Sequence, residues 1–263
     1  MKSRQEVFRN LYHYTPLLKT IKSILNTRTD IGDEEPKMNF LFGTPLLVND
    51  KNEGCLYLKY LFSRCERNNE FITSCQQKLY HTFILCFIRH KSYKKYHVNS
   101  IPMWKMYGGD FKGFRMTIDY EKLNAFCQPN GCQLVKIQYV TKDELRKIAQ
   151  EKYNEIKYRL SSCLNDEILI KEITLEALRY KTKSWEYENE YRIVVFDDSS
   201  KAVTHNGKNM YPVYIPLSCL KDIMIGPNAV NKEIKKKTLE KIKSEIANPG
   251  SFTIRESHIL INQ

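Results

Sequence analysis

The chain has 263 residues, 42% of them hydrophobic and 27% charged, an ordinary globular composition that can bury a sizeable core. No apolar run approaches the roughly 18–20 residues that cross a bilayer. The charged start Met1–Asn10 also lacks a secretory signal's apolar stretch and cleavage site, so a cytoplasmic protein with no membrane partner is expected. The net charge of +12 suits a polyanion such as nucleic acid, but the excess of Lys over Arg, with plentiful Asn and Ile, is equally the mark of AT-rich coding.

In chain order, Phe8–Tyr14 predicts a strand. A helix follows, capped by Thr15 with Pro16 in its first turn, and its apolar stripe is Leu17, Leu18, Ile21, Ile24 and Leu25. Asp30–Lys37 is an acidic loop, Asn39–Leu47 a short apolar segment and Asn49–Gly54 a polar turn. Leu56–Leu79 has helical spacing, His81–Ile88 is an apolar strand, and His90–Ser100 is a basic loop. Pro102–Gly109 is aromatic and ends in two glycines. Gly113–Tyr120 and Leu134–Val140 alternate as strands.

Thr141-x-x-Glu144 opens a helix to Leu160, and Asn165–Lys183 is a second, making a helical hairpin around 141–183. Tyr191–Phe196, Tyr211–Ile215 and Asp222–Ile225 are strands. Asn231–Ala247 is a helix capped by Asn231, and Ser251–Ser257 is a last strand. Without βαβ alternation, repeats or a linker, this order predicts one α+β domain over 1–263: a mixed, largely antiparallel sheet flanked by helices.

Four segments carry candidate chemistry. If the late strand begins near Tyr187, its two-residue period puts Glu188, Glu190 and Arg192 on one face and Tyr191, Ile193 and Val195 on the other. That row is either a solvated edge-strand ladder, with Arg192 offsetting two like charges, or the wall of a cleft beside Trp185 and Tyr187. Trp104 and Tyr107, three apart, share a face in a helical turn and could stack on a planar ligand, with Gly108-Gly109 allowing close backbone approach. The alternative is core packing. His13, between Tyr12 and Tyr14, is either a structural histidine or a ligand contact. Asn49, Asp50 and Glu53 are polar groups at a turn.

The eight cysteines show no Cys-x-x-Cys spacing, and Cys86 in Phe83–Phe87 suggests a buried thiol. No disulfide framework and no metal are expected.

Taken in order, Leu11–Thr15, Asn49-Asp50 with Glu53, Cys86-Phe87, Met103-Trp104 with Tyr107 and Gly113, and Trp185-x-x-Glu188-x-Glu190-x-Arg192 resemble the bacterial family of domains of unknown function numbered two-nine-seven-one. The likeness runs over roughly residues 8–230. It departs from the family pattern at Lys51, where Pro is usual, and at Ile88, where Ser is usual.

That layout in turn resembles the ADP-ribosyltransferase fold. The resemblance implies an NAD-consuming enzyme, of the kind that serves as a toxin or phage-defence effector acting on nucleic acid or protein. It makes Glu190 the catalytic carboxylate, Glu188 the activator of the acceptor, and Tyr107 or Trp104 the stacking ring. His13, Tyr14, Arg192, Asn49 and Asp50 would complete the substrate site. No Gly-x-Gly-x-x-Gly occurs, so NAD would be a substrate and not a Rossmann-bound hydride carrier. The alternative is a nucleic-acid-binding or metal-dependent nuclease-like protein without NAD chemistry.

Overall fold

The computed structural model describes residues 9–26, 35–48, 50, 54–63, 69–90, 100–162, 166–196, 201–246, 252–257 and 259. Its strands are β1 (Asn10–Thr15), β2 (Lys37–Phe42), β3 (Thr82–Ile88), β4 (Phe114–Asp119), β5 (Cys132–Lys136), β6 (Gln138–Val140), β7 (Tyr180–Thr182), β8 (Glu190–Phe196), β9 (Val203–His205), β10 (Lys208–Pro216), β11 (Leu220–Ile225) and β12 (Thr253–Glu256). Its helices are α1 (Leu18–Leu25), α2 (Cys55–Leu61), α3 (Asn69–Tyr80), α4 (Ser100–Met106), α5 (Tyr120–Cys127), α6 (Lys142–Ser162), α7 (Glu167–Ala177) and α8 (Lys232–Glu245).

A seven-stranded sheet runs in the order β12-β11-β4-β1-β3-β8-β5, antiparallel except where β11 and β12 pair in parallel. A second sheet, β2-β10-β9, is antiparallel, and β6 and β7 form a short parallel pair. This is the expected α+β class.

Alternation decides the two faces of the large sheet. Leu11, Phe83, Phe87, Met116, Tyr191 and Ile193 point to one side, where β2, β10, α1, α5 and α8 cover them. Ile84 and Val194 point to the other side and pack on α2, α3, α6 and α7. A separate aromatic patch of Tyr12, Tyr14, Ile88, Met103, Trp104 and Phe111 lies farther along the same side, under α4. Between these two patches the face is polar, and the site lies there.

The helical hairpin forms as expected, and α6 is opened by a reciprocal cap. Thr141 N–H donates to Glu144 Oε2 (2.7 Å) and Glu144 N–H to Thr141 Oγ1 (3.2 Å). Other local expectations are corrected. Thr15 belongs to β1 and is buried; Leu17 stands at the N-cap of α1 without a side-chain bond. Asn231 precedes α8 in a left-handed conformation (φ 54°), with no side-chain cap.

The helix expected over Leu56–Leu79 is two, α2 and α3, with 64–68 outside the described residues. The strand expected over Leu134–Val140 splits into β5 and β6, which join different sheets. Helix α5 was not foreseen; Asp119 caps it by accepting from the N–H groups of Glu121 and Lys122. No helix among the described residues is long and apolar enough to cross a membrane.

Candidate functional site

Strand register assembles the site. Tyr12 pairs with Ile88, and Ile88 with Glu190, so one row of side chains crosses β1, β3 and β8 on the polar face. The β1–β3 ladder is confined to that one pair, and the edge of β3 is taken up instead by a bridge from Ile84 to Gly43. The strands therefore diverge beyond Tyr12, and a cavity of about 330 Å³ opens beside the divergence. Tyr12, His13, Tyr14, Cys86, Tyr107, Lys181, Glu188 and Glu190 contribute to its wall, with Leu47, Val48 and Ile88 as apolar lining.

The charged wall is built from four buried side chains. Arg192 is wholly inaccessible and grips Glu190 with Nε on Oε1 (2.6 Å) and Nη2 on Oε2 (3.0 Å), while its Nη1 donates to Leu178 O (3.0 Å). Lys181 Nζ bridges Glu190 Oε2 (2.8 Å) and Glu188 Oε2 (2.7 Å). Tyr107 Oη donates to Glu188 Oε1 at 2.5 Å. Two anions thus face two cations. Such burial is tolerable only because the charges are paired and their lone pairs occupied. Burial opposes ionisation of Glu190, but Arg192 and then Lys181 outweigh it and hold its carboxyl down at about 2. Burial pushes the neighbouring Cys86 thiol well above its ordinary range, which makes it a weak donor and not a nucleophile.

His13 stands where the β1–β3 ladder ends. Its Nδ1 lies 3.1 Å from Cys86 O, so the ring is the Nδ1–H tautomer, with Nε2 left as an acceptor. Burial lowers its pKa, which keeps it neutral. Tyr14 Oη lies 3.1 Å from His90 Nε2, and burial pushes its phenol up.

Of the residues expected from sequence, His13, Tyr14, Tyr107, Glu188 and Glu190 meet at this cavity. Glu190 and Arg192 share a face of β8, as the two-residue period requires. Glu188 does not lie on the strand. It ends the 3₁₀ turn Lys183–Glu188, and the left-handed Asn189 (φ 45°) swings the chain so that its carboxylate still converges with that of Glu190.

Arg192 does not reach the cavity; it holds Glu190 from behind. Trp104 is fully buried, edge-on to Tyr14 with ring centroids 5.1 Å apart, so it supports the tyrosine and is not positioned to stack on a ligand there. Asp50 is buried outside the cavity lining, and Asn49 lies outside the described residues. Cys86 is half-buried, packing against the core on the side of α2, α3, α6 and α7 and also lining the cavity.

Sequence reasoning missed Lys181 and Tyr139, whose Oη accepts from Glu190 N–H (2.8 Å). Lys181 lies on β7, in a stretch expected to be helical, and nothing marks it out from the other lysines. Tyr12 lies in the segment Leu11–Thr15 that the sequence assigns to the site, and its ring joins the cavity wall.

Residues 103–193 match the model of a family described as protein of unknown function (DUF2971), the family to which the motif order points. The matched stretch contains Trp104, Tyr107, Gly113, Glu188, Glu190 and Arg192, and leaves Tyr12–Tyr14 outside it. No curated protein and no solved structure matches the chain.

Proposed function

We propose that the protein is an NAD-consuming, ADP-ribosyltransferase-like enzyme of the cytosol. The observation that carries this reading is the convergence of His13, Tyr14, Tyr107, Glu188 and Glu190, from separate parts of the chain, on one cavity. A cavity of about 330 Å³ falls in the size range of small-ligand sites, about 300–1,000 Å³. Tyrosine rings suit the planar nicotinamide, and neutral His13 can accept a ribose hydroxyl at Nε2.

In the reaction, the bond between the ribose anomeric carbon and the nicotinamide nitrogen breaks. Its electron pair leaves with nicotinamide, and the ribose becomes an oxocarbenium-like cation. Glu190, held ionised and immobile, is suited to stabilise that charge in a dry site. Glu188 is suited to take the proton of the acceptor as it attacks, and the Tyr107 hydroxyl orients it.

The acceptor would be nucleic acid or protein, as befits a toxin or phage-defence effector, and the net charge of +12 favours nucleic acid. A metal-dependent nuclease has less support. The Lys181 ammonium occupies the space between the two carboxylates where a divalent cation would bind.

The test is nicotinamide release from NAD by the wild type and by Glu190→Gln. Wild-type turnover with a loss of about 100–1,000-fold in the variant is expected. No release from wild type with any nucleic acid or protein acceptor overturns the reading.

A further inference from the structure

A second cavity, of about 340 Å³, lies on the opposite side of the large sheet from the charged wall. Leu85 of β3 and His13 of β1 form its back, and the His13 ring stands edge-on to Phe40 and Phe87 of that side's core. Strand β2 forms its flank. Met38, Phe40 and Phe42 enter the core, which leaves Asn39 and Leu41 half-buried on the other face of the strand. Lys19, Thr20 and Ser23 of α1 and His205 of β9 complete the lining.

Asn39 is the residue that core packing does not explain. Its Oδ1 is buried without a hydrogen-bond partner, and neither atom of its amide bonds to a described residue. A buried amide left unbonded is less favourable than an apolar side chain of the same shape. A hydroxyl supplied by a ligand both donates and accepts, so it satisfies the amide whichever way the amide is turned.

The rim makes a different demand. Lys19 is exposed and has no ion pair among the described residues, and no Asp or Glu contributes to the lining. Between rim and Asn39 the surface is apolar, from Phe40, Leu41, Leu85 and Met210. The complement is an anionic group, an apolar body and a hydroxyl remote from the charge. A rigid ring presents these at less entropic cost than a flexible chain.

We infer that this cavity binds a small hydroxylated aromatic acid, with its carboxylate at Lys19 and its hydroxyl on Asn39. Of the residues that line the first cavity, His13 alone lines this one too, and the site stands whether or not Glu188 and Glu190 act on NAD.

Direct binding to the full chain tests it, with 4-hydroxyphenylacetate, phenylacetate and 4-hydroxyphenylacetamide as probes that share a ring and lack in turn nothing, the hydroxyl and the charge. The wild type is expected to bind 4-hydroxyphenylacetate at least about 10-fold tighter than either of the others. Lys19→Met should weaken both acids about 10-fold and leave the amide unchanged. Asn39→Leu should remove the advantage of the hydroxyl while phenylacetate binds as before. Because it also removes an unbonded buried amide, its Tm should be no lower than that of the wild type; a merely structural role for Asn39 would lower Tm and weaken all probes alike.

No binding of any probe, equal binding of the three, or a hydroxyl advantage that survives in a folded Asn39→Leu each overturns the inference. So does a Glu188→Gln variant that binds the acids more tightly, since that places them at the charged wall; unchanged affinities in that variant support the second cavity. Should Asn39→Leu fail to fold, the wild-type and Lys19→Met arms decide it.

Discussion

Removing Arg192 is the sharpest probe of the charged wall. The substitution Arg192→Met takes away a fully buried guanidinium that makes two bonds to Glu190 and one to Leu178 O. Lys181 remains, but the buried group becomes net negative. Two routes give the size of the effect. Breaking a buried ion pair typically costs about 3–5 kcal/mol, because the surviving charge is left uncompensated. Independently, the fall of the Glu190 carboxyl from its ordinary 4.5 to about 2 corresponds to about 3 kcal/mol of preference for the ionised form, much of it owed to Arg192.

Both routes lead to a variant less stable by about 3 kcal/mol, which for a chain of this size lowers Tm by about 6–12 °C. The sign of the pH dependence follows. A depressed carboxyl stabilises the fold above the unfolded value near 4.5, and that contribution is lost as pH falls toward 2. In Arg192→Met the Glu190 carboxyl returns upward, so stability should fall less steeply below pH 4.5 than in the wild type. The double variant Arg192→Met with Glu190→Met removes both charges and should recover most of the loss. Urea titrations of the three proteins at pH 7 and pH 4 measure all of this. A single variant that costs under 1 kcal/mol, or a double variant no more stable than the single, refutes the view that the pair is a desolvated, mutually dependent unit.

Other outcomes follow from particular contacts. A Cβ on Gly113 would collide with the Thr15 carbonyl oxygen, so Gly113→Ala should destabilise by about 2–4 kcal/mol in denaturant titration; a loss under 0.5 kcal/mol would show that the approach of β4 to the end of β1 is loose. Tyr107→Phe removes the bond to Glu188 but keeps the ring, so acceptor transfer should fall about 10–100-fold with Tm within about 3 °C of wild type, and equal transfer rates would show that the hydroxyl orients nothing. If nucleic acid is the acceptor, its binding should weaken at least about 100-fold between 50 and 200 mM salt, as released counterions require, and a flat response would leave the +12 charge without a polyanion partner.

Much of the site was legible in the sequence because strand periodicity is local. The alternation in Glu190–Phe196 sorts Glu190 and Arg192 from Tyr191 and Ile193, and the fold keeps that sorting. The order of motifs likewise pointed to the aromatic helix and the acidic strand as parts of one site. What short-range pattern could not supply was the left-handed turn at Asn189, which brings Glu188 back to Glu190 from a 3₁₀ turn and not from the strand. Nor could it distinguish the two rings of α4. Trp104 and Tyr107 have similar spacing and chemistry, and only packing against Tyr14 and the collision awaiting any side chain at Gly108 place the one in the core and the other at the cavity.

Lys181 shows the limit most plainly. Its partners are seven and nine residues away, on a different strand and a turn, and its role exists only once β7 lies beside them. Composition and periodicity determine which faces are apolar, because burial acts on each residue nearly independently. The pairing of buried charges depends on distances between segments, because a charge taken out of water is stable only next to its counterion. Those distances are decided by the register of β1, β3 and β8 and by the divergence of the strands at Tyr12.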